Sequence, residues 1–372
     1  MDKKEKLLIY PYDIEAVPML RHKGLLRDYE ICGLVSPEGW GLTGKDAGCA
    51  DGGSELGIMI GSDFEAGLES CDAVYFGESH MKLDFEASVR PRLLKAIAAG
   101  KNIIFTLPVD RRVQEEISGL CSDGGVYFKY FGNQKDIGEF LGKEELYELN
   151  TPVIFVLGIS ERTQKFHIQL ALREYIQGLG YKVSQVGSRS YCELLGFRSF
   201  PQFMYDNSFS ESQKIILFNR YIKSIEIKEE PDVIIIGIPG GTMPFDNKFT
   251  NRFGMTAYEV SRAVTPDAAI FSIFYGAYEQ EQLESVFTSV KYRLGFEIDC
   301  FNLSNVKFDW EASRQDEELS YITVDSKFLH GAGEKYGSMA IPVYSVLEAE
   351  DAAEMNRLII GRLEEYAEVQ SV

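Results

Sequence analysis

The most informative segment of this chain is Val153-Ile-Phe-Val-Leu-Gly158-Ile-Ser-Glu-Arg-Thr-Gln-Lys165. An apolar run ends at Gly158, a polar loop follows, and a helical pattern runs from Lys165 to about Leu179. A buried strand, a glycine, a polar loop and a lysine at a helix start form the layout of a phosphate-binding loop. In such loops the N–H groups of the helix N-terminus point at the anion, and the lysine adds a full positive charge.

Two positions of this loop depart from the usual pattern. Gln164 stands where a glycine normally precedes the lysine, and Phe166 stands where a Ser or Thr normally binds Mg²⁺. Ser160 or Thr163 is expected to cap the helix. An ordinary strand-to-helix turn with a surface lysine is the alternative interpretation. We assign to the candidate site the following residues of the loop: Gly158, Ser160, Arg162, Thr163, Gln164, Lys165 and Phe166.

Strand and helix patterns alternate on both sides of this loop, which predicts mainly parallel sheets covered by helices. The predicted strands lie at 7–10, 30–35, 73–76, 102–107, 126–131, 153–157, 182–186, 232–238, 268–274, 297–303 and 321–325. The clearest helices between and after them lie at about 84–99, 110–120 and 346–367. A charged segment at 144–152 is the expected boundary. We therefore predict an α/β protein with two three-layer domains, a Rossmann-like domain at 1–148 and a P-loop NTPase-like domain at 149–372.

Two further strand ends are expected at the same edge of the second sheet. Residues 231–241 form a buried strand that ends in a turn with Gly240 and Gly241. Ligands of parallel α/β sheets bind beyond the carboxyl ends of the strands, so this turn should lie beside the loop. Ser188 and Arg189 follow another strand, and an arginine suits a phosphate or a carboxylate, although a loop arginine is more often a plain surface residue.

Metal chemistry and nucleotide hydrolysis are not predicted, and no catalytic residue is assigned. A magnesium-dependent phosphate site usually has an acid at the strand end that Gly237, Ile238 and Pro239 fill here. No GxGxxG motif, catalytic triad or zinc-ligand spacing occurs. Glu78, Ser79 and His80 follow a strand of the first half and either face a crevice or form a solvated loop. We therefore expect no metal.

Charge and composition limit the classes of partner. The chain has 372 residues and a net charge of −19, which argues against nucleic acid or an anionic membrane. Its six cysteines lack CxxC spacing and predict reduced thiols in a cytoplasmic protein. No apolar run approaches the roughly 20 residues of a membrane span. We expect no signal peptide, because the first residues lead directly into a strand, and we expect a homo-oligomer.

The segments 158–166, 187–197 and 231–241 together resemble a clostridial family of peptide-maturation-system proteins. The resemblance spans nearly the whole chain and implies a role beside radical-SAM enzymes in the modification of ribosomally made peptides. A more distant resemblance is to proteins with a Rossmann-like domain followed by a P-loop-type domain, a family that includes D-glutamate N-acetyltransferases. That family has a second glycine where Gln164 stands and an acid near the Gly240 turn, and both are missing here.

Two functional hypotheses follow from the motifs and the resemblance. In the first, the chain is an accessory protein of peptide maturation that binds a nucleotide or an acyl-CoA and transfers an acyl or other group as a transferase. In the second, a degenerate loop remains on a non-catalytic scaffold that binds the precursor peptide or a radical-SAM enzyme. Gln164 and Phe166 suit both hypotheses, because a transferase holds phosphates without cleaving them and a scaffold needs no loop chemistry.

Overall fold

The structure is a computed structural model that describes residues 3–131, 145–330, 336 and 339–370. Its first sheet has five parallel strands in the order β2-β1-β3-β4-β5. These strands are β1 (Glu5–Tyr10), β2 (Tyr29–Leu34), β3 (Ala73–Phe76), β4 (Asn102–Phe105) and β5 (Phe128–Tyr130). The helices that accompany them are α1 (Val17–Arg21), α2 (Phe64–Ser70), α3 (Arg90–Ala98) and α4 (Arg111–Asp123). This order is one of the two common arrangements of doubly wound α/β folds.

The second sheet has seven strands in the order β14-β11-β10-β6-β9-β7-β8. The strands are β6 (Val153–Gly158), β7 (Val183–Gly187), β8 (Arg198–Ser199), β9 (Val233–Gly237), β10 (Ala268–Ile273), β11 (Cys300–Leu303) and β14 (Val343–Tyr344). Neighbouring strands from β14 to β7 pair in parallel. The predicted strand at 321–325 lies outside this sheet, because β13 (Tyr321–Thr323) pairs antiparallel with β12 (Val306–Phe308) in a separate two-stranded sheet.

Helices cover both faces of the second sheet. They are α5 (Lys165–Gly178), α6 (Glu211–Glu229), α7 (Met255–Ala263), α8 (Gln280–Leu294) and α10 (Ala349–Gln370). A further short helix, α9 (Trp310–Asp316), follows β12. Strand β6 shows the layering directly, because its successive side chains point to opposite faces. Phe155 packs in the same cluster as residues of α6, α7 and α8, whereas Ile154 packs in the cluster that contains residues of α5 and α10. The predicted α/β class with two mainly parallel sheets and a Rossmann-like first half is thus confirmed.

Helix boundaries follow local sequence signals. The Asp110 carboxylate accepts a 2.9 Å hydrogen bond from Val113 N and begins α4. Ser210 and Gln213 form a reciprocal capping box at the start of α6. None of the described helices is both long enough and apolar enough to cross a membrane.

The chain divides by its internal contacts into two compact units. The first unit is Met1–Gln134 with Arg189–Ser199, and the second is Lys135–Ser188 with Phe200–Val372. The division predicted after residue 148 differs in placing the segment 189–199 with the second half. Tyr191 explains this grouping, because its ring packs edge-on against Tyr75 at 6.3 Å and its hydroxyl donates a 2.8 Å hydrogen bond to the Glu15 carbonyl.

Candidate functional site

The loop at 159–164 leaves β6 through a glycine that nothing larger can replace. A Cβ atom on Gly158 would lie 2.7 Å from the Ser272 carbonyl oxygen and 2.8 Å from the Thr163 hydroxyl. Such distances are shorter than any ordinary van der Waals contact. Gly158 therefore lets the loop fold back against the end of β10, as the glycine of a phosphate-binding loop does.

Gln164 has the backbone conformation for which glycine is the usual choice. Its φ and ψ are 63° and 15°, in the left-handed region, directly before α5 begins at Lys165. A side chain in this region costs about 1–2 kcal/mol relative to glycine. Hydrogen bonds offset part of this cost, since Gln164 Nε2 donates to Asn305 Oδ1 at 2.7 Å and Asn305 Nδ2 donates to the Val324 carbonyl at 2.7 Å.

Lys165 joins the loop to the turn after β9. Its side chain is buried, and its ammonium donates a hydrogen bond to the carbonyl oxygen of Gly240. Gly240 has a positive φ of 76°, which glycine adopts without strain. The next residue is equally confined, because a Cβ on Gly241 would lie 2.4 Å from the Ile159 carbonyl oxygen. The structure thus brings the 158–165 loop and the Gly240–Gly241 turn together, at the carboxyl ends of the paired strands β6 and β9.

A run of left-handed residues supports the other side of this turn. Asn251, Arg252, Phe253 and Gly254 have φ values of 48°, 51°, 56° and 72°. The Asn251 amide donates to the Ile159 and Met243 carbonyls, each at 3.0 Å. Non-glycine residues stay in this region only where the surrounding structure holds them, and such runs concentrate at functional sites. Asn251 and Gly254 are residue types that adopt this region readily, but Arg252 and Phe253 between them carry no turn signal.

Polar side chains at the ends of β10 and β11 hold the loop from behind. The Ser272 hydroxyl donates to the Thr163 carbonyl, and Asn302 Nδ2 donates to the Ser272 hydroxyl at 2.8 Å. Both side chains are fully buried. Neither residue is part of the site predicted from the sequence. The available signal is a polar residue near the end of an otherwise apolar strand, where a buried polar group requires a hydrogen-bond partner.

The predicted cap of α5 by Ser160 or Thr163 is wrong. The N-cap residue is Gln164, and no side chain caps the helix. The Thr163 hydroxyl instead donates to the Ser160 carbonyl at 3.2 Å inside the loop. Phe166, at the position of the usual metal-binding hydroxyl, is a buried core side chain. Among the described residues, no group of three or more His, Cys, Asp or Glu side chains is placed to hold a metal ion.

Ser188 lies at the end of β7 and contacts α5 one turn beyond Lys165. Gln169 Nε2 donates to the Ser188 hydroxyl at 3.2 Å, and the amide of Gln169 fills the space that a side chain on Gly237 would need. Gln169 is fully buried, and its Oε1 has no hydrogen-bond partner. Ser188 is therefore tied to the helix that begins at the loop.

Arg189 groups with the first unit, where its guanidinium forms an ion pair with Glu15. Glu15 and Asp13 follow β1, and Asp13 Oδ2 accepts a 2.5 Å hydrogen bond from His80 N, after β3. Burial, and after it the nearby Glu15 carboxylate, raise the pKa of Asp13 to about 6, against the lowering effect of backbone N–H donors. Participation of Arg189 in a phosphate site stays a prediction.

Comparison with solved structures identifies the fold but no activity. The chain is similar to a DUF1611 family protein from Anabaena variabilis, with a TM-score of 0.62, 11% sequence identity, and coverage of 96% of this chain and 100% of that chain. At this identity the likeness concerns the fold alone. A homoserine dehydrogenase from S. aureus covers 34% of this chain and 33% of its own at 11% identity, and its TM-score of 0.25 carries no argument.

No protein-family model matches the sequence, and no curated protein matches it either. The structural comparison thus shows that the chain has the fold seen in a DUF1611 family protein. The resemblance to peptide-maturation proteins stays a prediction.

Proposed function

We propose that this protein binds a phosphate-bearing cosubstrate, a nucleotide or an acyl-CoA, at the 158–165 loop and serves the maturation of a ribosomally made peptide. The observation that carries the proposal is the backbone of the loop. Gln164 keeps the left-handed conformation of the missing glycine, and Lys165 still opens the following helix. A non-glycine residue keeps this conformation only where the surrounding structure holds it, which favours a loop whose shape serves a ligand.

In this proposal the loop holds the phosphates and does not cleave them. The N–H groups of the first turn of α5 and the ammonium of Lys165 face the anion. Lys165 exchanges its hydrogen bond to the Gly240 carbonyl for one to a phosphate oxygen. Ser160, Arg162, Thr163 and Ser188 are the further residues of the second unit assigned to ligand binding. Transfer of an acyl or aminoacyl group suits such a site, because the phosphates then supply binding energy while the chemistry occurs elsewhere on the ligand.

A specific observation also favours the scaffold hypothesis. Lys165 contacts Gly240 and Gln164 contacts Asn305, so two loop side chains already have protein partners. A loop held by such internal bonds keeps its shape without a ligand. The precursor peptide or a radical-SAM enzyme would then be the partner, and the loop would have only a structural role.

Calorimetry with ATP, GTP and acetyl-CoA tests phosphate binding. We expect at least one of these ligands to bind, and we expect Lys165→Met, which keeps most of the side-chain volume, to weaken that affinity at least tenfold. Lys182→Ala is the matched control, because Lys182 is an exposed lysine of the same unit. Absence of binding by all three ligands, or equal affinities of the wild-type and Lys165→Met proteins, would refute the proposal.

A pull-down with the precursor peptide and the radical-SAM enzyme separates the two hypotheses. A complex that forms equally well with Lys165→Met, without detectable ligand binding, supports the scaffold. Ligand binding together with transfer of a labelled acetyl group to the peptide supports the transferase.

A further inference from the structure

Six aromatic side chains form a contiguous group in the second unit, here called the aromatic cluster: Phe245, Phe249, Phe274, Phe308, Trp310 and Tyr321. Phe308 lies at its centre, with ring centroids 4.8 Å from Phe245 and 4.5 Å from Trp310. Tyr321 completes the cluster at 5.8 Å from Phe308. The rings come from the turn after β9 and the segments around β10, β12 and β13.

The aromatic cluster lies next to the start of the 158–165 loop. Ile159, the first loop residue, packs against it. The hydroxyl groups of Ser160 and Tyr321 lie 3.3 Å apart, and the Arg162 guanidinium lies 5.3 Å from the centre of the Tyr321 ring. Tyr321 thus contacts the loop on one side and Phe308 on the other. Phe308 connects Tyr321 to Trp310, because its ring centroid lies 5.8 Å from that of Tyr321 and 4.5 Å from that of Trp310.

Packing between the two small strands explains only part of the cluster. Phe249, Phe274 and Phe308 are buried and form a small core beneath β12 and β13. Trp310 is different, because 43% of its surface is exposed. The Arg314 guanidinium lies 5.6 Å from the centre of its ring. A large exposed indole with an arginine beside it is an arrangement that stacks well on a planar heterocycle that carries negative charge nearby.

We propose that Trp310 is the stacking platform for the adenine ring of an adenine nucleotide whose phosphates lie in the 158–165 loop. The inference rests on the proposed function, since the loop fixes where the phosphates lie. The ribose would cross the region of Tyr321 and Arg162. Two ligands have this chemistry, ATP and coenzyme A. Only coenzyme A carries a 3′-phosphate close to its adenine ring, and Arg314 would contact that phosphate.

Tryptophan fluorescence gives a direct test, because the chain has two tryptophans, Trp40 and Trp310. In Trp40→Phe, the remaining emission reports Trp310 alone. We expect saturable quenching of this emission by ATP or by coenzyme A. Tripolyphosphate, which has no base, should compete with these ligands for the loop without quenching. Saturating ATP and coenzyme A that both leave the emission unchanged would overturn the inference.

Substitution at Trp310 supplies the second measurement. We expect Trp310→Leu to weaken the adenine ligand about tenfold or more, to leave tripolyphosphate affinity unchanged, and to be partly rescued in Trp310→Phe. Tyr292→Leu is the matched control, because Tyr292 is an aromatic residue of the same unit with 81% of its surface exposed. Circular dichroism and thermal unfolding check that each variant is folded.

The outcomes distinguish this inference from the proposed function. Suppose that ATP or coenzyme A binds, that Lys165→Met weakens this binding and that Trp310→Leu does not. The inference is then wrong and the proposed function stands. If no phosphate ligand binds the wild-type protein, both fail. Arg314→Gln identifies the source: loss of affinity for coenzyme A, with dephospho-coenzyme A unaffected, assigns the ligand as coenzyme A. If Trp310→Leu weakens binding, Arg314→Gln does not, and ATP binds more tightly than coenzyme A, the ligand is assigned as ATP.

Discussion

Gln164 combines an unfavourable backbone conformation with a favourable side-chain contact. The left-handed conformation costs a non-glycine residue about 1–2 kcal/mol. The hydrogen bond of its amide to Asn305 contributes about 0.5–1.5 kcal/mol. The two contributions are of similar size and opposite sign, so the residue is close to neutral for stability. Selection for stability alone does not explain why glutamine stands here.

Two substitutions at Gln164 separate these contributions. Gln164→Ala loses the hydrogen bond and keeps the conformational cost, whereas Gln164→Gly loses both. We therefore expect the glycine variant to be more stable than the alanine variant by about 1–2 kcal/mol in urea unfolding. Equal stabilities would show that the chain does not adopt the left-handed conformation at this position.

Asp13 predicts a pH dependence in the first unit. Its carboxyl group is buried, and its pKa is raised to about 6 from the ordinary value of 3.8. Between these values the folded state binds more protons than the unfolded chain, so the contribution of Asp13 to stability falls as pH rises. We expect Asp13→Asn to gain about 2 kcal/mol in unfolding free energy relative to wild type between pH 4.5 and 7.5.

Urea unfolding at several pH values measures this effect. Trp40 lies in the first unit and can serve as the fluorescent probe in a Trp310→Phe background. Asp28→Asn, at an exposed aspartate of the same unit, is the control. A constant difference between Asp13→Asn and wild type across this pH range would contradict the prediction.

At the scale of elements, the left-handed run 251–254 acts as a support for the loop. Asn251 bonds two carbonyls, those of Ile159 and Met243, that would otherwise lose a partner. We expect Asn251→Ala to lower the unfolding free energy of the second unit by about 2 kcal/mol, and to weaken phosphate binding as well. Asn207→Ala, at an exposed asparagine, is the control for the residue type. Unchanged ligand affinity in a folded Asn251→Ala protein would mean that the run does not shape the loop.

The main elements could be predicted from the sequence because their signals are local. The apolar run at 153–157 and the glycine after it indicate β6, and the same holds for β9 with Gly240 and Gly241. The order of the strands in the sheet could not be predicted from the sequence, although the 158–165 loop and the Gly240–Gly241 turn were expected to be adjacent. The run at 251–254 was missed because Arg252 and Phe253 adopt a left-handed conformation that their residue types do not favour.

The supporting residues of the site were missed for a related reason. Ser272, Asn302 and Asn305 follow Gly158 by more than a hundred positions, so only the strand order brings them to the loop. The sequence shows that these residues are polar and lie at or near the ends of apolar strands. It does not show that the 158–165 loop is their hydrogen-bond partner. Phe166 was assigned to the candidate site from its position in the loop, and its burial in the core was not predicted.

At the scale of the whole molecule, each unit has its own apolar core and should report ligand binding differently. A ligand that binds only the folded second unit stabilises it by about 2.7 kcal/mol at a hundredfold excess over Kd. We expect coenzyme A or ATP to shift the unfolding midpoint seen by Trp310 in Trp40→Phe. The midpoint seen by Trp40 in Trp310→Phe, measured at the same excess over the Kd of that variant, should shift less. A larger shift for Trp40 would place the ligand on the first unit.

The position of β6 in its sheet has a consequence for the thermodynamics of recognition. It is the fourth of seven strands, hydrogen-bonded to β10 and β9 on its two sides, and the loop starts directly from its end. The loop is therefore preorganised, and in the proposed function an incoming phosphate does not have to order it. Little conformational entropy is then lost in the protein on association, so even a small anion without a base can bind measurably.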